Sequence, residues 1–256
     1  MRQSVGDFSF ETKQNGVPVL SYAAIDMLAE RIARRVQPEL YTRQIDRTDL
    51  RKLLSVIPDW HYAGRYLSEN GTLLGCAVFH GGRTTVYDRT RQRGEPFAVP
   101  DRTILVDRAL YEKPLERVFR FTLSHEIGHA LLHGAFCSDP KNMAQYAEDE
   151  KQHFFGDGRE RLSLLDSRRL KTPRDWVEWQ ANAFASAVLM PKSLVYHTAS
   201  LVREEGQSPL AFANELAQTL EDVFRVSRKA AFYRVKELEI LPPTAVQLEN
   251  GLISPQ

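Results

Sequence analysis

Cysteine is scarce in this chain, with two in 256 residues. Cys76 and Cys137 cannot form the multiply bridged framework of a small secreted domain, and so little cysteine is expected of a reducing compartment. Long apolar runs are lacking too. No stretch approaches the ~20 apolar residues of a membrane helix. No apolar segment follows a charged N-terminal region, as it would in a secretory leader. Nor does one sign of charge dominate. Lys and Arg number 34 against 33 Asp and Glu, a formal net charge of +1. No bulk attraction to nucleic acid or to a membrane is expected from that balance. The remaining composition is ordinary for a globular protein, 43% hydrophobic and 26% charged, and the length suffices for a sizeable core. The expected location is the cytoplasm.

One segment departs from this plain background: His125-Glu126-Ile127-Gly128-His129. Histidines at i and i+4 on a helix project from one face and can reach a single Zn²⁺. Glu126, at the edge of that face, is placed to take a proton from a water activated by the metal. The surroundings predict one helix from Lys113 to Gly134, with Pro114 near its start and Gly134 as its stop. Leu115, Val118, Phe119, Thr122, His125, His129 and Leu132 follow a 3.6-residue period and define an inward stripe. A buried helix with two hydrogen-bonded histidines would be the plain alternative. The spacing of four with Glu126 between them favours the metal.

A catalytic zinc needs a third protein ligand and an open position. Glu178 is the best candidate. Thr172 as N-cap, Pro173 at the first helical position and Asp175 at the third predict a helix that runs to about Met190 and stops at Pro191. Glu178 and Asn182 fall one turn apart on one side of it. Asn182 can fix the tautomer of a zinc histidine through its other ring nitrogen. On the residues alone, Glu178 equally suits a carboxylate facing the positive end of its own helix.

The block Phe121-Thr122-Leu123-Ser124-His125-Glu126-Ile127-Gly128-His129-Ala130-Leu131-Leu132-His133 resembles the signature of the ImmA/IrrE zinc metallopeptidases. So does Glu178-Trp179-Gln180-Ala181-Asn182-Ala183-Phe184-Ala185-Ser186-Ala187-Val188-Leu189-Met190-Pro191, which follows the family pattern E-x-x-A-N-x-F-A-x-x-L-L-M-P with Val188 in place of a leucine. The resemblance covers roughly Ile104 to Leu241. It implies a zincin-type peptidase with the thermolysin-like ligand set His125, His129 and Glu178, with Glu126 as general base. It also implies a substrate class, helix-turn-helix repressors of phage, mobile-element or stress-response genes. The chain departs from the family in the long interval between His129 and Glu178. Its polar stretch from Cys137 to Lys171 is expected to be either disordered or functional, as a lid or a substrate-selecting element.

The fold expected is α+β. A zincin-like peptidase core at 59–191 would hold a small antiparallel sheet, a metal-binding helix pair and the polar insertion 137–171. An N-terminal helical segment, 1–58, precedes it, and a helical region, 192–256, packs on it. Met1 to Val19 is polar and expected to be poorly ordered. Helices are expected over Ser21–Val36 and Arg47–Val56. Strands are expected over Tyr62–Leu67, Thr72–Phe79, Arg83–Tyr87 and Thr103–Val106, and a loop over Thr90–Pro100. An exposed edge strand there could align an extended peptide across the zinc. Helices then follow over Ser193–Glu204, Pro209–Val223 and Ser227–Leu238.

The last two superficially resemble a helix-turn-helix, and Arg225, Arg228, Lys229, Arg234 and Lys236 add positive charge. The rival reading is therefore a DNA-binding regulator with a vestigial metal site. The preferred reading is a zinc endopeptidase of narrow specificity whose partner is a protein, with neither membrane nor direct nucleic-acid binding expected. His133 either supports the site or packs beneath it. Tyr146, His153, Tyr196 and Tyr233 are candidate oxyanion donors. Cys137 is either a buried thiol or a thiolate able to block the zinc. Trp60 and Phe79 are expected in the core.

Overall fold

A computed structural model of the chain describes residues 2–5, 8–42, 45–142 and 170–240. Its first element is an antiparallel pair, β1 (Arg2–Val5) and β2 (Phe8–Glu11). The expectation of a poorly ordered start is corrected here. Phe8 and Phe10 alternate inward and join the main core, a period-2 signal too short to stand out from polar neighbours. Helix α1 (Tyr22–Val36) starts where Ser21 Oγ accepts from the Ala24 N–H, and it buries Ile25, Leu28, Ala29 and Ile32. Helix α2 (Leu50–Leu54) is capped by Asp49 and is shorter than the apolar pattern implied.

Five strands follow: β3 (His61–Arg65), β4 (Gly75–Val78), β5 (Gly82–Asp88), β6 (Arg93–Val99) and β7 (Thr103–Asp107). The central sheet has the order β3-β7-β4. Strands β4 and β7 pair antiparallel, while β3 runs parallel to β7, so this sheet is mixed. Thr90–Pro100 is not a loop. It contains β6, which pairs with β5 as an exposed antiparallel hairpin. Charge and proline obscured it, because an exposed two-stranded hairpin tolerates both: Pro96 sits opposite Thr85, and Arg93 pairs with Glu95 on the surface. Phe97 and Val99 turn inward with Leu67, Leu105 and Val78, so the hairpin covers one face of the central sheet.

Helix α3 (Glu116–Leu132) covers the other face. It is preceded by a tighter 3₁₀ turn at Lys113–Leu115, where Pro114 stands, so the expected helix is shorter at its start. Val118 was expected inward but is 40% exposed. Gly134 does not stop the helix. His133 caps it, and Gly134 opens a further turn, α4 (Gly134–Cys137). Helix α5 (Pro173–Leu189) has the expected capping box, with Thr172 accepting from the Asp175 N–H and the Asp175 carboxylate accepting from the Thr172 N–H. Helices α6 (Lys192–Val202), α7 (Pro209–Phe224) and α8 (Arg228–Glu237) complete the described chain. Of the polar insertion, 143–169 lies outside the described residues. No described helix is long and apolar enough to cross a membrane.

One cluster of buried side chains runs through α1, β7, α3, α5 and the C-terminal helices. The helix-turn-helix-like pair α7–α8 spends Leu216, Leu220, Phe224, Val226, Ala231 and Val235 on that core. Arg234, one of the five cations that resembled a DNA-binding set, is wholly buried. Its guanidinium donates to Asp26 Oδ1 at 2.6 Å and to the Met190 carbonyl at 3.1 Å, so it ties α8 to α1 and to the end of α5. Nearby, the Tyr22 hydroxyl donates to the Glu237 carboxylate. Removing one partner of a buried pair strands the other charge, at a cost of about 3–5 kcal/mol. Arg234→Ala is therefore expected to lower unfolding stability by about that amount, read as an earlier urea midpoint with an unchanged slope. A loss under about 1 kcal/mol would show that water reaches the pair.

Candidate metal centre

Helices α3 and α5 approach closely because Gly128 has no side chain. A Cβ there would lie 3.0 Å from Phe184 Cδ1 and 3.4 Å from the Ala181 backbone. This contact brings the two chemical motifs together. His125 and His129, one turn apart on α3, point at Glu178 in the second turn of α5. His125 Nε2 and His129 Nε2 are 2.9 Å apart. One Glu178 carboxylate oxygen lies 3.3 Å from His125 Nε2 and the other 3.7 Å from His129 Nε2.

These spacings test whether a metal fits. Ligands about 2.0–2.1 Å from a tetrahedral zinc are separated from one another by about 3.3–3.4 Å. The observed 2.9, 3.3 and 3.7 Å bracket that value. Two imidazoles and one carboxylate also match the donor set of a catalytic site with an open position. His125, His129 and Glu178 are therefore a group that could hold a metal ion.

Each imidazole is oriented from behind. His125 Nδ1 is 2.9 Å from Asn182 Oδ1. An amide oxygen only accepts, so Nδ1 carries a proton, and the neutral ring has its lone pair on Nε2. His129 Nδ1 is 3.0 Å from His133 Nδ1, and His133 Nε2 is 3.1 Å from Gln180 Oε1. Burial pushes His129 well below the usual imidazole range. Burial likewise takes His133 down to about 4, against a smaller opposing effect of Gln180 and Glu178. Burial would lower His125 as well, but the hydrogen-bonded Glu178 carboxylate and then Glu126 outweigh it, and the net direction is upward. The Glu178 hydrogen bond, Glu126 and Asn182 raise His125, whereas at His129 the His125 and His133 charges add to the effect of burial against Glu178.

Glu126 is buried on α3 beneath β4. A Cβ at Gly75 would stand 2.7 Å from Glu126 Oε1 and 2.7 Å from Thr122 Cγ2, so any larger residue at 75 would displace these side chains. The ladder alternation adds a second property. His61 N–H bonds the Arg102 carbonyl and Asp107 N–H bonds the Leu74 carbonyl. Residues 104 and 106 of β7 therefore bond β3, while 103, 105 and 107 bond β4. The N–H and C=O groups of Gly75 and Ala77 then point away from β7, to an edge that no other strand covers among the described residues.

The other candidates separate clearly. Tyr196 donates its hydroxyl to the Leu238 carbonyl, and Lys229 lies over the Tyr233 ring, which occupies both in the C-terminal helices. Tyr146 and His153 lie outside the described residues. Trp60 and Phe79 meet edge to face at 4.9 Å, half-buried. Cys137 is buried with Phe136, Val17 and Val177. Burial, then the Glu178 charge, pushes its thiol up to about 12, so it is not a thiolate at neutral pH. Gln180, Pro18 and Gly75 were not singled out from the sequence. The Gln-Ala-Asn run at 180–182 was the available signal for Gln180. Compared with models of known protein families and with curated proteins, the chain gives no match.

Two outcomes follow from this geometry. Metal analysis is expected to find one ion per chain, with binding sharply weakened by His125→Ala, His129→Ala or Glu178→Ala, and about 10–100-fold weaker binding for Asn182→Ala. Full occupancy in Glu178→Ala alone would remove that residue from the ligand set. Cys137 is expected to resist iodoacetamide at pH 8 in the folded protein and to react after denaturation, read by peptide mass spectrometry. Rapid labelling of the native form would contradict the buried, protonated thiol.

Proposed function

We propose that this protein is a zinc-dependent endopeptidase of narrow specificity with a zincin-like core. The observation that carries the proposal is the convergence of His125 Nε2, His129 Nε2 and Glu178 beside Glu126, beneath an open strand edge. When bound, zinc supplies Lewis acidity, which polarises a carbonyl and lowers the pKa of water toward ~7. The residues of the chain do the rest. Gly75 and Ala77 offer backbone donors and acceptors along which an extended peptide can add as a strand. Glu126 takes the proton released as water adds to the scissile carbonyl carbon. It returns that proton to the amide nitrogen as the C–N bond breaks. Asn182 holds His125 in the tautomer that keeps Nε2 unprotonated.

The substrate we propose, a helix-turn-helix repressor, rests on the resemblance of both motifs to the ImmA/IrrE peptidases. Cleavage would separate the repressor's DNA-binding and oligomerisation parts. The rival reading as a DNA-binding protein is weakened by Arg234, which is buried against Asp26 and unable to meet a phosphate. The test compares the wild type with Glu126→Gln, which keeps the shape of the side chain and removes its basicity. Zinc content and melting temperature should be unchanged, and cleavage of a helix-turn-helix repressor substrate should slow by ~10²–10⁴. Casein should be a poor substrate for both forms. Wild-type rates in Glu126→Gln would sink the general base, and fast casein digestion would sink the narrow specificity.

A further inference from the structure

Behind His129 runs a chain of hydrogen bonds longer than a single supporting contact. His129 Nδ1 lies 3.0 Å from His133 Nδ1, His133 Nε2 lies 3.1 Å from Gln180 Oε1, and Gln180 Nε2 lies 2.8 Å from the Pro18 carbonyl. All four residues are buried. The far end sets the sense of the whole chain. Proline has no N–H, so position 18 offers only an acceptor. Gln180 must therefore turn its NH₂ to Pro18 and its oxygen to His133, whichever way the amide might otherwise lie. That oxygen only accepts, so His133 carries its proton on Nε2. A neutral imidazole has one N–H, which leaves a lone pair on His133 Nδ1. That lone pair accepts from His129 Nδ1–H, and His129 Nε2 is left unprotonated on the side of His125 and Glu178.

We infer that Gln180, anchored on the Pro18 carbonyl and acting through His133, is a positioning residue that fixes the tautomer and ring orientation of His129 for a metal. The inference rests on the metal reading above and extends it to the N-terminal segment. Residue 18 is 162 positions from Gln180 in the chain, yet it decides which nitrogen of a ligand histidine is available. The two histidines are thus held differently. His125 leans on a single amide of α5, whereas His129 is held by a relay that ends on the strand-like segment after β2, where Thr12 and Pro18 bridge.

The test has two readouts. Long-range ¹H–¹⁵N spectra of the wild type report tautomers directly, with or without zinc. His133 is expected as the Nε2–H form and His129 as the Nδ1–H form. The second readout is zinc affinity by chelator competition. Gln180→Leu keeps the bulk and removes both hydrogen bonds, and it should bind zinc about 10–100-fold more weakly. In the same variant the resonances of His133 should no longer report a single tautomer. His133 found as Nδ1–H in the wild type overturns the inference, as does wild-type zinc affinity in Gln180→Leu. Failure of the wild type itself to bind zinc would instead remove the metal reading, while the tautomer of His133 would still be measurable. Should Gln180→Leu fail to fold, the wild-type spectra alone decide.

Discussion

Three imidazoles, two amides and the Glu178 carboxylate share one largely buried contact between two helices, and that density of polar atoms constrains everything around it. A buried polar group left unpaired costs about 1–3 kcal/mol, so several together would undo the gain from packing α3 against α5. Among the described residues no imidazole or amide side chain of the site is left without a partner. The supporting residues Asn182, His133 and Gln180 are therefore as much a condition of folding as of chemistry. Gly128 is the steric condition. A Cβ there would press on Phe184 and the Ala181 backbone at the point where the two helices meet.

The sheet answers a second constraint, access. A metal site enclosed on all sides could bind an ion but not a polypeptide. Strand β7, buried along its whole length, carries β3 on one side and β4 on the other. This leaves β4 as the edge nearest Glu126. The hairpin β5–β6 covers the face of the sheet away from α3, and among the described residues no strand pairs with that edge. Gly75 then has two uses at one position: it clears space for the Glu126 carboxylate, and it turns its backbone groups outward.

The features legible in the sequence were those written in short-range chemistry. The capping box at Thr172–Asp175 and the spacing of His125 and His129 depend on neighbours three or four residues away. Helix extents accordingly came out within a few residues, apart from the shortened α2. Three other features were not legible. The parallel β3–β7 pairing depends on where the intervening strands fold back. Strand β6 is polar because it is exposed, which is also how a loop reads. Gln180 and Pro18 matter only through contacts 47 and 162 positions away in the chain. The single-stripe reading of α3 left out Leu123, Glu126, Ile127 and Gly128, which are buried because α5 covers the helix on one side and the sheet on another.

The three-residue run Gln180-Ala181-Asn182 shows how the steric and electrostatic conditions meet. Successive side chains on a helix are turned by about 100°. Ala181 faces Gly128 at the centre of the helix contact. Gln180 and Asn182 therefore flank that contact on opposite sides, each about 100° from it. One amide reaches His133 and through it His129, and the other reaches His125. A larger residue at 181 would push both amides away at once. The small side chain that lets the helices touch is thus also the one that places two acceptors where two histidines need them. The same segment that resembles a peptidase signature has, in this chain, a mechanical reason for its order of residues.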